Sequence, residues 1–270
     1  MNGAVEVSVD RLTPTGSHPS SRQIPVEAPI ALEYNGIGYA VMMATPTDLE
    51  DFAVGFSLSE RIVARAADIE HIEAYETPAT ETGGGWLLKI QIAPERVAPM
   101  IERVRVRVSE SSCGLCGLEN LEQVNRPLPP VTAQFTVETS ALFSALEALH
   151  DHQPLNALTG GAHAAAYCDK QGNILVTRED VGRHTAFDKL IGALARAEIS
   201  PSNGFALLSS RCSYELVEKA VTANFPLLVT ISTATSLAVS RANQAGLRLI
   251  ALARRDAMLE ISNPETNNIL

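Results

Sequence analysis

The sequence predicts an α/β fold, and three observations carry the prediction. Over residues 204–252 apolar strands alternate with amphipathic helices, the pattern of parallel strands joined by right-handed crossovers. Near the N-terminus Asn35-Gly36 separates two apolar runs, the strongest short-range hairpin signal. Between these regions Asn125-Arg126-Pro127-Leu128-Pro129-Pro130 reads as a linker, because proline removes donors and restrains the backbone. A boundary there predicts a smaller α+β domain over 25–126 and an α/β domain over 131–270.

In chain order, residues 1–24 are rich in Ser, Thr and Pro with little periodicity and predict a loose, disordered tail. Strands are expected over 29–34 and 37–42, on either side of Asn-Gly. Thr47-Asp48-Leu49-Glu50 has capping-box spacing and opens a helix carrying Phe52, Val54 and Phe56. Strands follow near 69–75 and 86–92. Over 95–108 the pattern is ambiguous. Val104, Val106 and Val108 alternate with Arg103, Arg105 and Arg107, as in a strand, while the preceding residues tolerate a helix. The arginine row fits a solvated face or a ligand contact equally.

In the C-terminal half, Leu142, Leu146 and Leu149 mark an amphipathic helix. Strands over 204–208, 226–231 and 247–252 alternate with helices over 214–223 and 235–245, the second closed by Gly246.

At 270 residues, 46% hydrophobic and 19% charged, the chain has the composition of a globular protein with a real core. A net charge of −10 argues against a general nucleic-acid or anionic-membrane binder. Four cysteines, no export-signal layout and no long apolar run predict a cytoplasmic protein, where a CxxC pair serves metal or redox chemistry more often than a structural disulfide.

That pair is Cys113 and Cys116, within Ser111-Ser112-Cys113-Gly114-Leu115-Cys116-Gly117. Glycine permits a tight turn and leaves sulfur unshielded. A helix start after the second thiol favours thiolate, the nucleophilic form, although Glu119 and Glu122 oppose that shift. A tetrahedral zinc site needs two more ligands, and no second CxxC or finger-spaced His pair is present. The zinc deaminase pattern needs a Glu two residues after its His and a CxxC beyond it; here Ala165 stands at that position after His163, and the CxxC precedes it. No metal is expected.

In a parallel sheet ligands bind beyond the carboxyl ends of the strands. The loops there are Ser209-Ser210-Arg211-Cys212-Ser213, Ser232-Thr233-Ala234-Thr235-Ser236 and Ala253-Arg254-Arg255-Asp256-Ala257. All are small, hydroxylic or basic, fit for phosphate oxygens; any one alone reads better as helix capping, and it is the three together that favour a polar-ligand crevice. Thr159-Gly160-Gly161-Ala162-His163 lets backbone approach a ligand or another chain segment, and Glu179-Asp180-Val181-Gly182-Arg183-His184 leads into a helix with groups suited to proton handling or guanine recognition, although a lone His is more often structural.

Of these, Thr159-Gly160-Gly161-Ala162-His163, Glu179-Asp180-Val181-Gly182-Arg183-His184 and Ser209-Ser210-Arg211, with Tyr34-Asn35-Gly36, Met42-Met43-Ala44-Thr45-Pro46, Asp48-Leu49-Glu50-Asp51-Phe52, Cys113-Gly114-Leu115-Cys116-Gly117 and Ser236-Leu237-Ala238, resemble the formate dehydrogenase accessory sulfurtransferases, the FdhD/NarQ family, over residues 28–262. The resemblance implies a cytidine deaminase-like three-layer C-terminal domain without its zinc set. It implies a sulfurtransferase that takes sulfur from a cysteine desulfurase as a persulfide on Cys113, with Cys116 assisting. The sulfur then passes to the molybdenum cofactor in its bis-guanine dinucleotide form, for formate dehydrogenase. The family's cofactor-binding segment falls on Leu252, Ala253, Arg254, Arg255, Asp256 and Ala257. Candidate contacts are Thr159, Gly160, Gly161, His163, Asp180, Arg183, His184, Ser209, Ser210 and Arg211. A homodimer is implied. The rivals are a thiol-disulfide oxidoreductase using the same CxxC and a cofactor chaperone that carries no sulfur.

Overall fold

The computed structural model describes residues 3–80, 83–109 and 127–261. The first element corrects an expectation. Residues read as a loose tail form an antiparallel hairpin of β1 (Ala4–Thr13) and β2 (Gly16–Pro25). The signal lay in Val5, Val7 and Val9, a period-two run of β-branched residues that Ser and Pro elsewhere in the segment obscured. Its base is tied down by Val26 N–H donating to the Gly3 carbonyl at 2.8 Å and by Arg22 Nη2 donating to the Thr159 carbonyl at 3.1 Å.

Next come β3 (Ala28–Tyr34) and β4 (Ile37–Ala44). Asn35 at φ 48° and Gly36 at φ 84° give the paired positive angles of a type I′ turn, as the sequence predicts. With β5 (Ile69–Thr80) and β6 (Gly83–Ile92) they form a four-stranded sheet in the order β4-β3-β6-β5. Helix α1 (Leu49–Ser59) covers it, burying Phe52 and Phe56 against Ile30, Leu32, Leu88 and Ile90. The expected capping box does not form. Asp48 precedes the helix in a left-handed conformation without a side-chain cap, and the Thr47 hydroxyl accepts from Lys189 Nζ at 3.5 Å.

The ambiguous stretch is helix α2 (Pro94–Ser109). Met100 is buried in the sheet's core and Val97 and Ile101, at helical spacing, pack against it, which outweighs the valine-arginine alternation further along. The side chains of that alternation, Arg103 to Val108, lie outside the described residues.

Of the expected linker, Asn125 and Arg126 lie outside the described residues, and 127–138 carry no regular element. Helices α3 (Thr139–Ala148) and α4 (Pro154–Thr159) lead into β7 (His163–Cys168) and β8 (Ile174–Asp180). Then α5 (Arg183–Arg196), β9 (Phe205–Leu208), α6 (Tyr214–Thr222), β10 (Leu227–Thr230), α7 (Ser236–Ala245), β11 (Arg248–Ala251) and β12 (Leu259–Ile261) complete a six-stranded sheet, ordered β12-β11-β10-β9-β7-β8. Strands β9, β10 and β11 are parallel, as the alternation predicts; β7, β8 and β12 run antiparallel to their neighbours.

Period-two alternation splits this sheet between two cores. Ala165, Tyr167, Ala206, Leu208, Leu228 and Leu249 face α5, α6 and α7. Ala164, Ala166, Phe205, Leu207, Val229 and Ile250 face Leu142, Ala145 and Leu149 of α3 and the turn after it. Helices on both faces give three layers.

A second face of α1 packs on α5. Gly55 and Gly192 meet there so closely that a side chain on either would overlap the other helix's backbone. Asp51, buried on α1, takes Arg178 from β8 at 2.7 Å and Arg196 from α5. On α5, buried Asp188 holds Lys219 of α6 at 2.8 Å.

Candidate functional site

The carboxyl ends of β8, β9, β10 and β11 and the amino end of β7 share one end of the six-stranded sheet, because β7 runs opposite to β8 and β9. Every described candidate contact lies there. The loops are stitched laterally by backbone bonds: Ser209 N to Ala164 O at 3.0 Å, Cys212 N to Thr233 O at 3.0 Å, Leu252 N to Ser232 O at 3.1 Å and Ala253 N to Thr230 O at 3.1 Å. The Ser209 hydroxyl accepts from Ala164 N at 2.8 Å. These bonds fix the floor on which exposed Arg211, Arg254, Arg255, Asp256 and Ala257 stand.

Arg254 is held in place by its own turn. Its N–H donates to the Ala257 carbonyl at 2.8 Å, and its guanidinium reaches the Ile231 and Ala253 carbonyls. Leu252, just before it, sits at φ 50°, a left-handed angle that costs a residue with a Cβ about 1–2 kcal/mol. Such strain clusters at functional turns.

The glycine turn behaves differently at each residue. Gly160, at φ 70°, closes α4 with its N–H on the Asn156 carbonyl at 2.7 Å. Gly161 donates to the Thr159 hydroxyl at 3.2 Å and lies under Pro25 of the hairpin. Arg22 is thus brought beside Gly160, a cation that residue order gave no reason to place here.

Arg183 opens α5 between two histidines. Its Nε is buried with no hydrogen-bond partner among the described residues. Burial first, and the Arg183 charge second, hold the half-buried His163 below the ordinary imidazole value; the Asp180 charge opposes them. His184 is also lowered, mainly by burial, against the pull of Glu215. Its Nε2 lies 2.9 Å from Glu215 Oε2 and 3.2 Å from Ser213 Oγ. Ser213 precedes α6 but spends its hydroxyl on this cluster and does not cap the helix, whereas Thr235 does cap α7, accepting from Ala238 N at 3.3 Å. Sequence reasoning missed Ser213 and Glu215 as partners of His184; their signal was proximity to the basic loop.

Other candidates are interior supports. Asp180 is wholly buried, with Oδ2 on Lys189 Nζ at 2.7 Å and on Thr45 N at 3.0 Å, and Oδ1 on Gly182 N at 2.7 Å. Burial raises its pKa and the Lys189 charge opposes the rise. Three of its roughly four acceptor sites are taken, and its complete burial keeps it from a surface ligand. Ser210, Ala253 and Thr159 are buried as well. Glu179, from the same stretch, accepts from Leu155 N and Asn156 N at 2.7 and 2.8 Å and so caps α4. Cys113 and Cys116 lie outside the described residues. Cys168 and Cys212 are buried, and burial pushes the Cys212 thiol up to about 12, so it stays protonated at neutral pH.

Fold and loop cluster define an α/β protein of the kind whose ligand side is the carboxyl end of its strands. A model of the FdhD/NarQ family matches residues 25–267, and the chain belongs to that family. It is 50% identical over 246 residues to the sulfur carrier protein FdhD of Xanthomonas oryzae pv. oryzae, covering 91% of this chain and 86% of the relative. Identity to the sulfur carrier protein FdhD of Variovorax paradoxus is 44% over 241 residues, with 89% and 85% covered. Among solved structures, a candidate formate dehydrogenase accessory protein from Desulfotalea psychrophila superposes with a TM-score of 0.74 over 97% of this chain and 98% of that one, at 20% identity; at that identity the likeness is one of fold.

Proposed function

We propose that this protein is a sulfur carrier that activates formate dehydrogenase by sulfurating its molybdenum cofactor. The observation that carries the reading is 44–51% identity, over about nine-tenths of the chain, to proteins named sulfur carrier FdhD, with Cys113 and Cys116 inside the family-matched span.

In this reading a cysteine desulfurase presents a persulfide. The Cys113 thiolate attacks its terminal sulfur, forming Cys113–S–SH and releasing the donor's thiolate. Cys116 then attacks the inner sulfur of Cys113, forming the Cys113–Cys116 disulfide and releasing hydrosulfide toward the cofactor, which is the substrate. The sulfane sulfur gains the two electrons that the thiols lose, and a thiol reductant resets the pair. The basic loops at the sheet end are the proposed seat of the guanine dinucleotides: Arg211, Arg254 and Arg255 as phosphate partners, and His163, Arg183 and His184 behind them. The interior members Asp180, Ser210 and Ala253 would hold these groups in position. A cytoplasmic homodimer completes the proposal.

Formate dehydrogenase activation in a strain lacking this protein tests it. Cys113→Ala is expected to abolish activation while nucleotide binding is kept. Retained activation by Cys113→Ala would favour a chaperone that carries no sulfur. Cys116→Ala that traps a mixed disulfide, with no sulfur gained on Cys113, would favour the oxidoreductase.

A further inference from the structure

A cavity of about 580 Å³ lies between the end of α1, the start of α2, the second half of α5 and the end of α6. It is remote from the loops described above. Ile191 and Ala195 line it, which puts it roughly 12–18 Å along α5 from Arg183 at 1.5 Å per residue. Pro201 and Ala223, which precede β9 and β10, also line it, so it faces the amino ends of the strands.

Its walls divide by chemistry. Leu58, Val63, Ile191 and Ala195 make an apolar body, and Arg61, Arg65 and Arg96 supply cations with no carboxylate among the lining residues. The neighbouring Asp68 carboxylate pairs with Arg65 and Arg96 at 3.0 Å each, so two of the three guanidinium groups share one carboxylate. Two donors remain underused. Arg96 Nε is buried with no partner among the described residues, and Arg61 donates to the Thr222 hydroxyl at a long 3.4 Å. Pockets of this size accept whole small organic molecules, with an apolar wall giving affinity and a few charges giving orientation. Guanidinium groups with free donors select carboxylate, phosphate or sulfonate oxygens.

We propose that this cavity binds an amphipathic organic anion, its apolar body against Leu58, Val63 and Ile191 and its acidic head on Arg61 and Arg96. Because α1 and α2 belong to one half of the chain and α5 and α6 to the other, the ligand bridges both halves and stabilises their junction. The inference is independent of the sulfur-carrier reading.

The test uses the full chain and 8-anilinonaphthalene-1-sulfonate as probe, followed by fluorescence and calorimetry. Saturable one-to-one binding is expected. Arg61→Gln and Arg96→Gln should each weaken it about tenfold, the size of one charge-assisted hydrogen bond lost, and Ala195→Trp, which fills the cavity from a partly exposed position, should abolish it. Should Arg96→Gln fail to fold, because Arg96 also holds Asp68, the other two variants carry the result. The proposal is overturned if the uncharged N-phenyl-1-naphthylamine binds equally well, if inorganic phosphate alone displaces the probe at matched concentration, or if Ala195→Trp leaves binding intact.

Discussion

Gly55 of α1 and Gly192 of α5 meet backbone to backbone: a Cβ built on either lies 2.8 Å from the other's amide nitrogen, and 1.7 or 1.8 Å from the carbonyl oxygens of Asp188 and Asp51. This contact joins the half of the chain that leads to the CxxC motif to the half that carries the basic loops. Gly55→Ala or Gly192→Ala must push the helices apart, at a cost of about 1–3 kcal/mol or more by overpacking. Urea unfolding should show a lowered midpoint for each. An unchanged midpoint in both would mean the helices separate freely.

The pair Asp180–Lys189 makes a second joint, since Lys189 Nζ also donates to the Thr45 carbonyl at 2.9 Å. Lys189→Met leaves a buried carboxylate without its cation and should destabilise by about 3–5 kcal/mol. The double variant Lys189→Met, Asp180→Asn should recover much of that loss, because it removes the uncompensated charge. A double variant no better than the single would assign the effect to lost packing.

Both site histidines are lowered from the ordinary value, and the Arg183 charge contributes to each. The unfolded chain therefore binds protons on these rings more readily than the folded one. Their contribution to stability is full above the ordinary imidazole pKa of about 6.5 and is lost as pH falls below it toward the depressed folded values. Titration by NMR should place both midpoints below 6.5, and Arg183→Gln should raise both. Midpoints unmoved by Arg183→Gln would show that the Arg183 charge has no part in setting them.

Guanosine diphosphate should bind the sheet end. Arg254→Gln and Arg255→Gln are each expected to weaken binding about tenfold in calorimetry, one charge-assisted contact apiece, while Lys170→Gln, on the exposed β7–β8 turn, should leave it unchanged. Equal losses from all three would point to general charge attraction.

The parallel core and the Asn-Gly hairpin were legible because each rests on local chemistry: apolar runs of strand length, and a dipeptide that tolerates positive φ. Helix α2 was obscured because valine and arginine alternate over its second half, while its core contacts come from Val97, Met100 and Ile101. The hairpin at 4–25 was hidden by a polar composition that says little about pairing. Within the site, the strand ends were predictable from topology, so the loops fell where expected. The division between surface and interior was not. Asp180 reads like a ligand contact until its partner Lys189, an isolated cation on an apolar helix face, is seen to reach it in space. Long-range partners such as Arg22 on Thr159 leave no mark in local sequence.

The central claim is that Cys113 carries sulfur, and intact-mass analysis after incubation with a cysteine desulfurase and cysteine tests it most directly. The account predicts a reductant-sensitive gain of sulfur on the wild-type protein, lost in Cys113→Ala and kept in Cys116→Ala. No gain on folded wild-type protein with reactive thiols, or a gain that survives Cys113→Ala, would contradict it.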